Sequence, residues 1–365
     1  IGTGERLIIE VERTQHLEQP HVFQSGKMVS VFSNADGTPN KDHVSGVINY
    51  VRDNTMIVTL NVDDLPDWID AGHLGVDVMF DELSYREMEA AMKAVIKADS
   101  GRLAVLREIL LGYQPAHFSA DTNADPIGAD ILNHSQLAAL RLLRSAQDVG
   151  IIHGPPGTGK TTTLVQAIRE ARAHEGQVLV CAPSNTAVDL LVEKLSDKGL
   201  NVLRIGHPAR VTEQSLSKTL DARIAAHDYY KDLKALRKKM EQLRSTALKF
   251  RQNFGRAEKH QRRLQLQEVK ALKADADVLE FYIINDLLQK SDAIACTLVG
   301  SSHYVLKGKR FKSVFIDEAG QSLEPACWIP VLKAERVIFA GDHHQLPPTI
   351  KSIQAARGGS HSNLV

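Results

Sequence analysis

The amino-acid sequence predicts an α/β protein in which a parallel sheet is preceded by a small β-barrel and interrupted by a helical insertion. Three observations support this fold class. Short apolar runs separated by turn residues fill residues 1–83, a pattern typical of small barrels. From Asn133 onward apolar strands alternate with helices, as in a parallel sheet covered by helices. Between Lys231 and Lys273, a long basic stretch with almost no Gly or Pro breaks this alternation.

The N-terminal part divides into strands, helices and a linker. Its five predicted strands cover residues 7–11, 28–32, 44–51, 56–62 and 74–80. Residues 84–113 change to helical periodicity and form the expected helical stalk. Ser84 with Glu87 has the spacing of a capping box, and a second helix is expected over 103–111. Residues 114–130 are polar and rich in turn formers, which predicts a linker.

Residues 131–365 are expected to form the parallel-sheet domain. Its strands are expected over 149–153, 178–182, 293–296, 313–317 and 336–340, with helices over 161–172 and 187–195. A helical insertion at 211–290 interrupts the domain. Between Lys231 and Lys273 it carries fourteen Lys or Arg and four Asp or Glu residues, and a hairpin turn is expected near Gly255. The hairpin is either a solvated scaffold or a basic arm that contacts phosphates.

Composition limits the classes of partner and compartment. The 44 basic residues balance the 44 acidic ones, so any basic surface must be local. No apolar run is long enough to span a membrane, and no membrane partner is expected. The three cysteines are widely spaced and form no CxxC motif, which argues against a zinc or redox site. Such sparse cysteine use is typical of a reducing compartment, so we expect an intracellular protein, cytoplasmic or, in a eukaryote, nuclear.

The string GPPGTGKT at residues 154–161 predicts a loop that binds nucleotide phosphates. Gly154, Gly157 and Gly159 allow successive backbone N–H groups to point toward phosphate oxygens. Lys160 adds a positive charge, and the Thr161 hydroxyl suits Mg²⁺. The helix that follows presents its positive N-terminal end to the same phosphates. The remaining predicted contacts of this segment are Pro155, Pro156, Thr158 and Thr162.

Two later strings predict the catalytic residues. Asp317 and Glu318 follow an apolar strand, and the carboxyl end of such a strand lies beside the glycine loop in this class of sheet. Asp317 is expected to hold Mg²⁺, and Glu318 to orient and deprotonate the attacking water. In GDHHQLPP, Gln345 carries a neutral amide that can hydrogen-bond both the γ-phosphate and that water. The adjacent His343 and His344 also raise a metal-site hypothesis, although loop histidines more often face solvent.

Three further segments are candidate binding positions. Gln136, some twenty residues before the glycine loop, has an amide that can read the adenine edge, or it belongs to an ordinary helix cap. Ser184 and Asn185 follow a strand and precede a helix, where small donors can grip the phosphates of a nucleic acid. Thr297 occupies a similar position after a later strand. For these three residues helix capping is the alternative interpretation.

The sequence resembles a known family. LNHSQ, GPPGTGKTTT, APSNTAVD, DEAGQ and GDHHQLPP occur in that order and are similar to the first half of a superfamily 1 helicase of the up-frameshift type. RIGHPAR at residues 204–210 adds to the similarity. It covers residues 130–350 strongly, and residues 1–113 more loosely, where the family carries a β-barrel joined by helices.

The resemblance implies a RecA-like motor domain that uses ATP and Mg²⁺ and moves along single-stranded RNA or DNA, generally 5′ to 3′. Gln136 would read adenine, and Gln345 would couple the γ-phosphate to motion. Ser184, Asn185 and Thr297 would line the nucleic-acid track. The family also has a second RecA-like domain, whose arginines stabilise the transition state. Because no such domain follows Gln345 here, we expect a fragment that hydrolyses ATP weakly by itself.

Two alternatives remain open from the sequence. One is a nucleotide-gated platform that binds nucleic acid without unwinding it. The other is a nucleotide hydrolase that acts on a small molecule or a protein.

Overall fold

The computed structural model describes residues 7–14, 23–33, 43–62, 65–66, 68–69, 74–79, 82–120, 126–206, 210–248 and 256–345. The chain forms two compact units. One comprises Ile1–Thr219 with Ser291–Val365, and the other is Leu220–Lys290. Within the described residues, no helix is both long and apolar enough to cross a bilayer.

The N-terminal strands form an antiparallel sheet in the spatial order β1-β4-β3-β2-β5. Their bounds are Ile8–Glu12 (β1), Met28–Ser33 (β2), His43–Arg52 (β3), Thr55–Leu60 (β4) and Leu74–Val78 (β5). Alternate residues such as Val29 and Val31 are buried with Ile48 and Val58 in one core, as the period-2 pattern predicts. The antiparallel sheet is therefore confirmed. Among the described residues β1 and β5 are its edges, and the β1–β5 pairing that would close a barrel is not seen there.

Two helices, α1 (Glu82–Ile96) and α2 (Gly101–Leu110), follow the sheet. The predicted helical periodicity is confirmed, but the capping-box prediction is wrong. Because α1 begins at Glu82, Ser84 lies within its first turn rather than at its N-cap.

Asp148 joins the stalk and the linker to the parallel-sheet domain. Its buried carboxylate accepts hydrogen bonds from the backbone N–H of His117 (2.8 Å) and from the His117 ring (2.7 Å). It also pairs with the Arg102 guanidinium of α2 at 2.6 Å. Burial by itself would raise the pKa of Asp148, but these bonds from His117 and Arg102 together lower it. The carboxylate is therefore stabilised in its charged form.

The second sheet is wholly parallel, in the spatial order β6-β11-β10-β7-β9-β8. Its strands are Val149–His153 (β6), Val178–Ala182 (β7), Val202–Ile205 (β8), Ala293–Thr297 (β9), Phe311–Ile316 (β10) and Ala334–Gly341 (β11). Five of these six were predicted, and β8 was not. The spatial order places β11 and β10 between β6 and β7, so the carboxyl ends of β6, β11 and β10 lie side by side.

Helices α3 (His134–Ser145), α4 (Lys160–Glu175) and α5 (Asn185–Asp197) pack on this sheet. Leu164 and Ile168 of α4 are fully buried against Phe315 and Ile338 of the central strands. Burying a side chain of this size stabilises the fold by about 1.5–3 kcal/mol. This core fixes α4 beneath the glycine loop. A short helix, α6 (Glu213–Leu216), follows β8, and α10 (Glu324–Val331) precedes β11.

The helical unit consists of α7 (Leu220–Ala225), α8 (Tyr230–Leu248) and α9 (Arg256–Lys290). Leu233 and Ile283 are fully buried where α8 meets α9, and Arg237 pairs with Glu280 at 2.8 Å. The two long helices of the expected hairpin are confirmed, while its predicted turn near Gly255 lies outside the described residues. The unit begins at Leu220 rather than at residue 211.

We expect Arg102→Met to lower the free energy of unfolding by about 1–3 kcal/mol, because the buried Asp148 carboxylate loses its guanidinium partner. Since the pKa of Asp148 is lowered in the folded state, this stabilisation is present above 3.8, the ordinary pKa, and is lost below it. Urea unfolding across this pH range measures both effects. Lys93→Met, which breaks an exposed pair with Glu89, is the matched control and should change little. Equal effects of the two substitutions at neutral pH would contradict the expectation.

Candidate active site

The glycine loop lies between the end of β6 at His153 and the start of α4 at Lys160. Gly157 and Gly159 have φ values of 79° and 82°, in the left-handed region that L side chains rarely adopt. A Cβ on Gly159 would lie 2.3 Å from Nε2 of Gln136. Both the backbone conformation and the space therefore require glycine at position 159. Thr161 and Thr162 lie in the first turn of α4, where free backbone N–H groups favour an anion.

The Lys160 ammonium lies at the mouth of this loop. It donates hydrogen bonds to the backbone carbonyl oxygens of Gly154 and of Pro155, the latter at 3.1 Å. The Thr158 hydroxyl donates to the same Pro155 oxygen at 2.8 Å. The sequence predicted that the Lys160 charge faces the phosphates. The structure shows that this ammonium is held by the same loop that would wrap around them.

Gln136 contacts the loop and also caps a helix. Asn133 and Gln136 form a reciprocal capping box at the start of α3, with hydrogen bonds of 2.9 and 3.1 Å. The Gln136 amide nitrogen also donates to the Thr158 carbonyl oxygen at 2.9 Å. The helix-cap interpretation is therefore confirmed. The amide keeps one N–H and one acceptor lone pair, which are the groups that an adenine edge needs.

Asp317 and Glu318 follow β10, as the sequence predicted. Asp317 is buried and accepts a hydrogen bond from the Glu318 backbone N–H at 2.9 Å. Burial raises the pKa of Asp317 to about 6, the Glu318 charge adds to the rise, and Lys160 opposes it. The Lys160 charge thus acts on the carboxyl that follows β10, which places both groups in one electrostatic field.

Glu318 has a strained backbone and a fixed side chain. Its φ of 52° is uncommon for a residue with a Cβ and is typical of functional positions. The Gln321 amide donates to one Glu318 carboxylate oxygen at 3.0 Å. Gln321 was not predicted as a site residue, although it belongs to the DEAGQ string.

The end of β11 contacts the DEAGQ turn through the backbone. A Cβ on Gly320 would lie 2.6 Å from the Asp342 carbonyl oxygen, and one on Gly341 would lie 2.9 Å from the Gly320 nitrogen. Asp342 in turn accepts hydrogen bonds from the His344 backbone N–H (3.0 Å) and from the Gln345 amide (3.3 Å). The His344 N–H is the main cause that lowers the pKa of Asp342. The structure therefore brings Gln345 to the same edge as Glu318.

Two groups of side chains at this edge offer metal ligands. Thr161 and Asp317 supply oxygen atoms, which Mg²⁺ prefers, and they follow β6 and β10. The donor atoms of His153, Asp342 and His343 lie within 4.8 Å of one another, and imidazole ligands suit transition metals instead. The sequence raised a metal site at His343 and His344. Among the described residues, the group of possible ligands contains His343 but not His344, and its other members are His153 and Asp342.

The predicted nucleic-acid residues lie at the carboxyl ends of β7 and β9, which are neighbours. Ser184 is the N-cap of α5 and accepts a hydrogen bond from the Ala187 N–H at 3.1 Å. Thr297 accepts one from the Gly300 N–H at 3.0 Å. The capping interpretation is confirmed for Ser184, whereas Thr297 precedes the N-cap, Leu298, of the short helix that it contacts. Each hydroxyl hydrogen can still donate to a phosphate. The Asn185 side chain contacts the buried Arg204, a residue that the sequence did not single out.

These features define the class of the protein: a RecA-like α/β domain with a phosphate-binding loop followed by an acidic pair. The family model described as an AAA domain matches residues 131–353. The chain belongs to this family and, within it, to the superfamily 1 helicases of the up-frameshift type.

Several relatives match most of the chain. It is 32% identical to the hamster (Mesocricetus auratus) DNA-binding protein SMUBP-2, over 94% of this chain and 34% of that protein. It is also 32% identical to the Schizosaccharomyces pombe DNA polymerase alpha-associated DNA helicase A, over 96% and 54%. A Neurospora crassa regulator of nonsense transcripts 1 homolog is 33% identical over 80% and 25%. The chain therefore spans about half or less of the length of these relatives.

We expect Asp317→Asn to stabilise the protein in the absence of nucleotide and Mg²⁺. Because the pKa of Asp317 is raised in the folded state, the stability that its carboxyl group contributes is fully present below pH 3.8. This contribution is lost as the pH rises through about 6. At pH 8 the variant should therefore gain about 3 kcal/mol in the free energy of unfolding. The gain should fade as the pH falls from 6 to 3.8. Denaturant unfolding at several pH values measures this difference.

Asp342→Asn is the matched control, because the pKa of Asp342 is lowered. The effect of this substitution on stability should have the opposite sign. The Asp342 carboxylate stabilises the fold above the ordinary pKa of 3.8, so the variant should be less stable than wild type at pH 8. A loss of stability in both variants would contradict the burial of Asp317 as the cause of its raised pKa.

Proposed function

We propose that the protein is the N-terminal motor half of a helicase that couples ATP binding and hydrolysis to movement along single-stranded RNA or DNA. One observation carries the proposal. The glycine loop, the Asp317–Glu318 pair and the Asp342–Gln345 segment follow three strands that are neighbours in the sheet. Membership of the helicase family and the names of the relatives support it.

ATP and Mg²⁺ fit the residues present. The left-handed turns at Gly157 and Gly159 direct backbone N–H groups toward phosphate oxygens, and Lys160 adds the positive charge. Thr161 and Asp317 would hold Mg²⁺, which when bound neutralises charge on the phosphates. Mg²⁺ binding requires the Asp317 carboxylate form, which its pKa of about 6 permits at neutral pH.

Glu318 is the proposed general base for the attacking water. Its carboxylate would accept the water proton, while the Gln321 hydrogen bond holds the carboxylate in one orientation. Gln345 would sense the γ-phosphate. The close backbone contact between Gly320 and Asp342 would link the turn that carries Glu318 to the segment that carries Gln345. A shift of one of these segments would then be transmitted to the other.

A second RecA-like domain of the same protein is proposed to complete the pocket. The coverage of only 25–54% of the relatives' length supports this. An arginine contributed by such a domain is worth about 10³–10⁵ in rate, so this chain alone should hydrolyse ATP slowly. An intracellular location also remains a proposal, which the three buried free thiols support.

The nucleic-acid track is proposed to cross the carboxyl ends of β7 and β9. Ser184, Asn185 and Thr297 lie there and offer small donors that suit phosphates. Such contacts carry little information on base or sugar, so RNA and DNA are both candidates, and the 5′ to 3′ direction rests on the family resemblance. Retained binding without strand displacement by the longer protein would favour a binding platform instead. The small-molecule or protein hydrolase predicts that single strands do not stimulate ATP turnover.

We expect Lys160→Ala to weaken binding of a fluorescent ATP analogue by at least about 100-fold, because it removes the charge that faces the phosphates. Titration in the presence of Mg²⁺ measures the affinity. Lys198→Ala is the control, since Lys198 is the C-cap of α5, at the opposite end of that helix from the sheet edge. Unchanged affinity in Lys160→Ala would refute the assignment of the pocket.

The basic helical unit is a separate candidate for phosphate contacts. If α8 and α9 contact phosphates, replacing Lys238, Lys239 and Arg244 with Gln should flatten the dependence of log K on log salt by up to about 0.7 per lost contact. Fluorescence anisotropy with a labelled single strand at several salt concentrations gives the slope. An unchanged slope identifies the hairpin as scaffold.

A further inference from the structure

A charged side chain lies fully buried in an apolar strand beside the proposed track. Arg204 is in the middle of β8, and it is 0% exposed. Its guanidinium pairs with the buried Asp189 of α5 at 2.9 Å. Placing a charge in such a position is unfavourable unless every donor is used, so the remaining partners of Arg204 indicate why it is there.

The other donors of Arg204 are directed to specific acceptors. One terminal nitrogen donates to the Ile205 carbonyl oxygen at 2.6 Å, and the other donates to the Asn185 side-chain oxygen at 2.9 Å. The second Asp189 oxygen accepts from the Thr212 N–H at 2.7 Å. A Cβ on Gly206 would lie 2.8 Å from the guanidinium. The network therefore joins α5, β8 and the segment after β8.

The chemistry of arginine fixes the orientation of the Asn185 amide. A guanidinium has only donors, so the Asn185 atom that faces it must be the oxygen. The amide nitrogen, with its two hydrogens, is then turned away from Arg204. The opposite orientation would set N–H groups against the positive charge and would lose a charge-assisted hydrogen bond.

We propose that Arg204 is a positioning residue for the nucleic-acid track: with Asp189, it holds Asn185 so that this residue presents only N–H donors. This inference rests on the proposed function. A side chain that presents donors alone selects acceptor groups, which on a nucleic acid include the phosphate and sugar oxygens. Arg204 itself touches no ligand and acts through Asn185.

Asn185→Asp tests the orientation directly. Aspartate has nearly the same shape and keeps one oxygen toward Arg204, but it places a carboxylate oxygen where the amide nitrogen was. Binding of a fluorescein-labelled oligothymidylate at low salt should weaken about 100-fold in this variant and about tenfold in Asn185→Ala. Binding by Asn185→Asp that is at least as tight as binding by Asn185→Ala would show the inference to be wrong.

A double-mutant cycle tests whether Arg204 acts through Asn185. Arg204→Lys keeps the charge beside Asp189 but cannot reach both partners, and we expect it to weaken binding about fivefold. In the Asn185→Ala background the same change should have almost no further effect on binding. Its effect on the melting temperature should persist in both backgrounds, which separates positioning from folding. Equal losses of affinity in the two backgrounds would overturn the role of Arg204.

Arg336→Lys is the matched control for burial. Arg336 is another buried arginine of the same sheet, and it bonds Glu175 and Ser313 rather than Asn185. We expect the Arg336→Lys substitution to lower the melting temperature, and its effect on binding should be the same with and without Asn185→Ala. Failure of the wild-type protein to bind the oligonucleotide would refute the proposed function together with this inference, whereas binding that is insensitive to Asn185→Asp would refute the inference alone.

Discussion

The order of strands in the parallel sheet is the constraint on which the site depends. Because β11 and β10 are inserted between β6 and β7, three segments that are far apart in the chain emerge at adjacent strand ends. The close approach of Gly320 to the Asp342 carbonyl oxygen then fixes the spacing of two of these segments through the backbone. Side-chain contacts such as Gln345 with Asp342 only refine a geometry that the sheet has already set.

Much of this geometry was predictable because its signals are local. Five of the six parallel strands are short apolar runs, and the glycine loop needs residues with positive φ, so each leaves a direct mark on the sequence. β8 was not predicted, since Arg204 interrupts its apolar pattern and an arginine is usually a surface residue. Its carboxylate partner, Asp189, precedes it by fifteen positions, and only the fold brings the two together.

Other errors have a similar cause. Ser84 and Glu87 have capping-box spacing, but α1 begins two residues earlier at Glu82, so the local motif did not determine the start of the helix. The two sequence-based interpretations of Gln136, helix cap and adenine reader, are compatible, since capping leaves part of the amide available. Ser184 and Thr297 follow the same logic: a hydroxyl that accepts a backbone hydrogen bond is oriented by it and still has a hydrogen to donate.

This dual use of capping residues suggests how two parts of the carboxyl edge of the sheet differ. On the proposed nucleotide side, Lys160 and Asp317 are charged and the Lys160 charge acts on Asp317, so binding there would respond to phosphate charge and to Mg²⁺. On the β7–β9 side, the candidate contacts Ser184, Asn185 and Thr297 are neutral and are oriented by backbone N–H groups or by Arg204. Neutral donors bind a phosphate more weakly than charged ones. Under the proposed function the protein must release its track in every cycle. A grip made of weak, well-oriented donors would satisfy that requirement while still excluding groups that cannot accept a hydrogen bond.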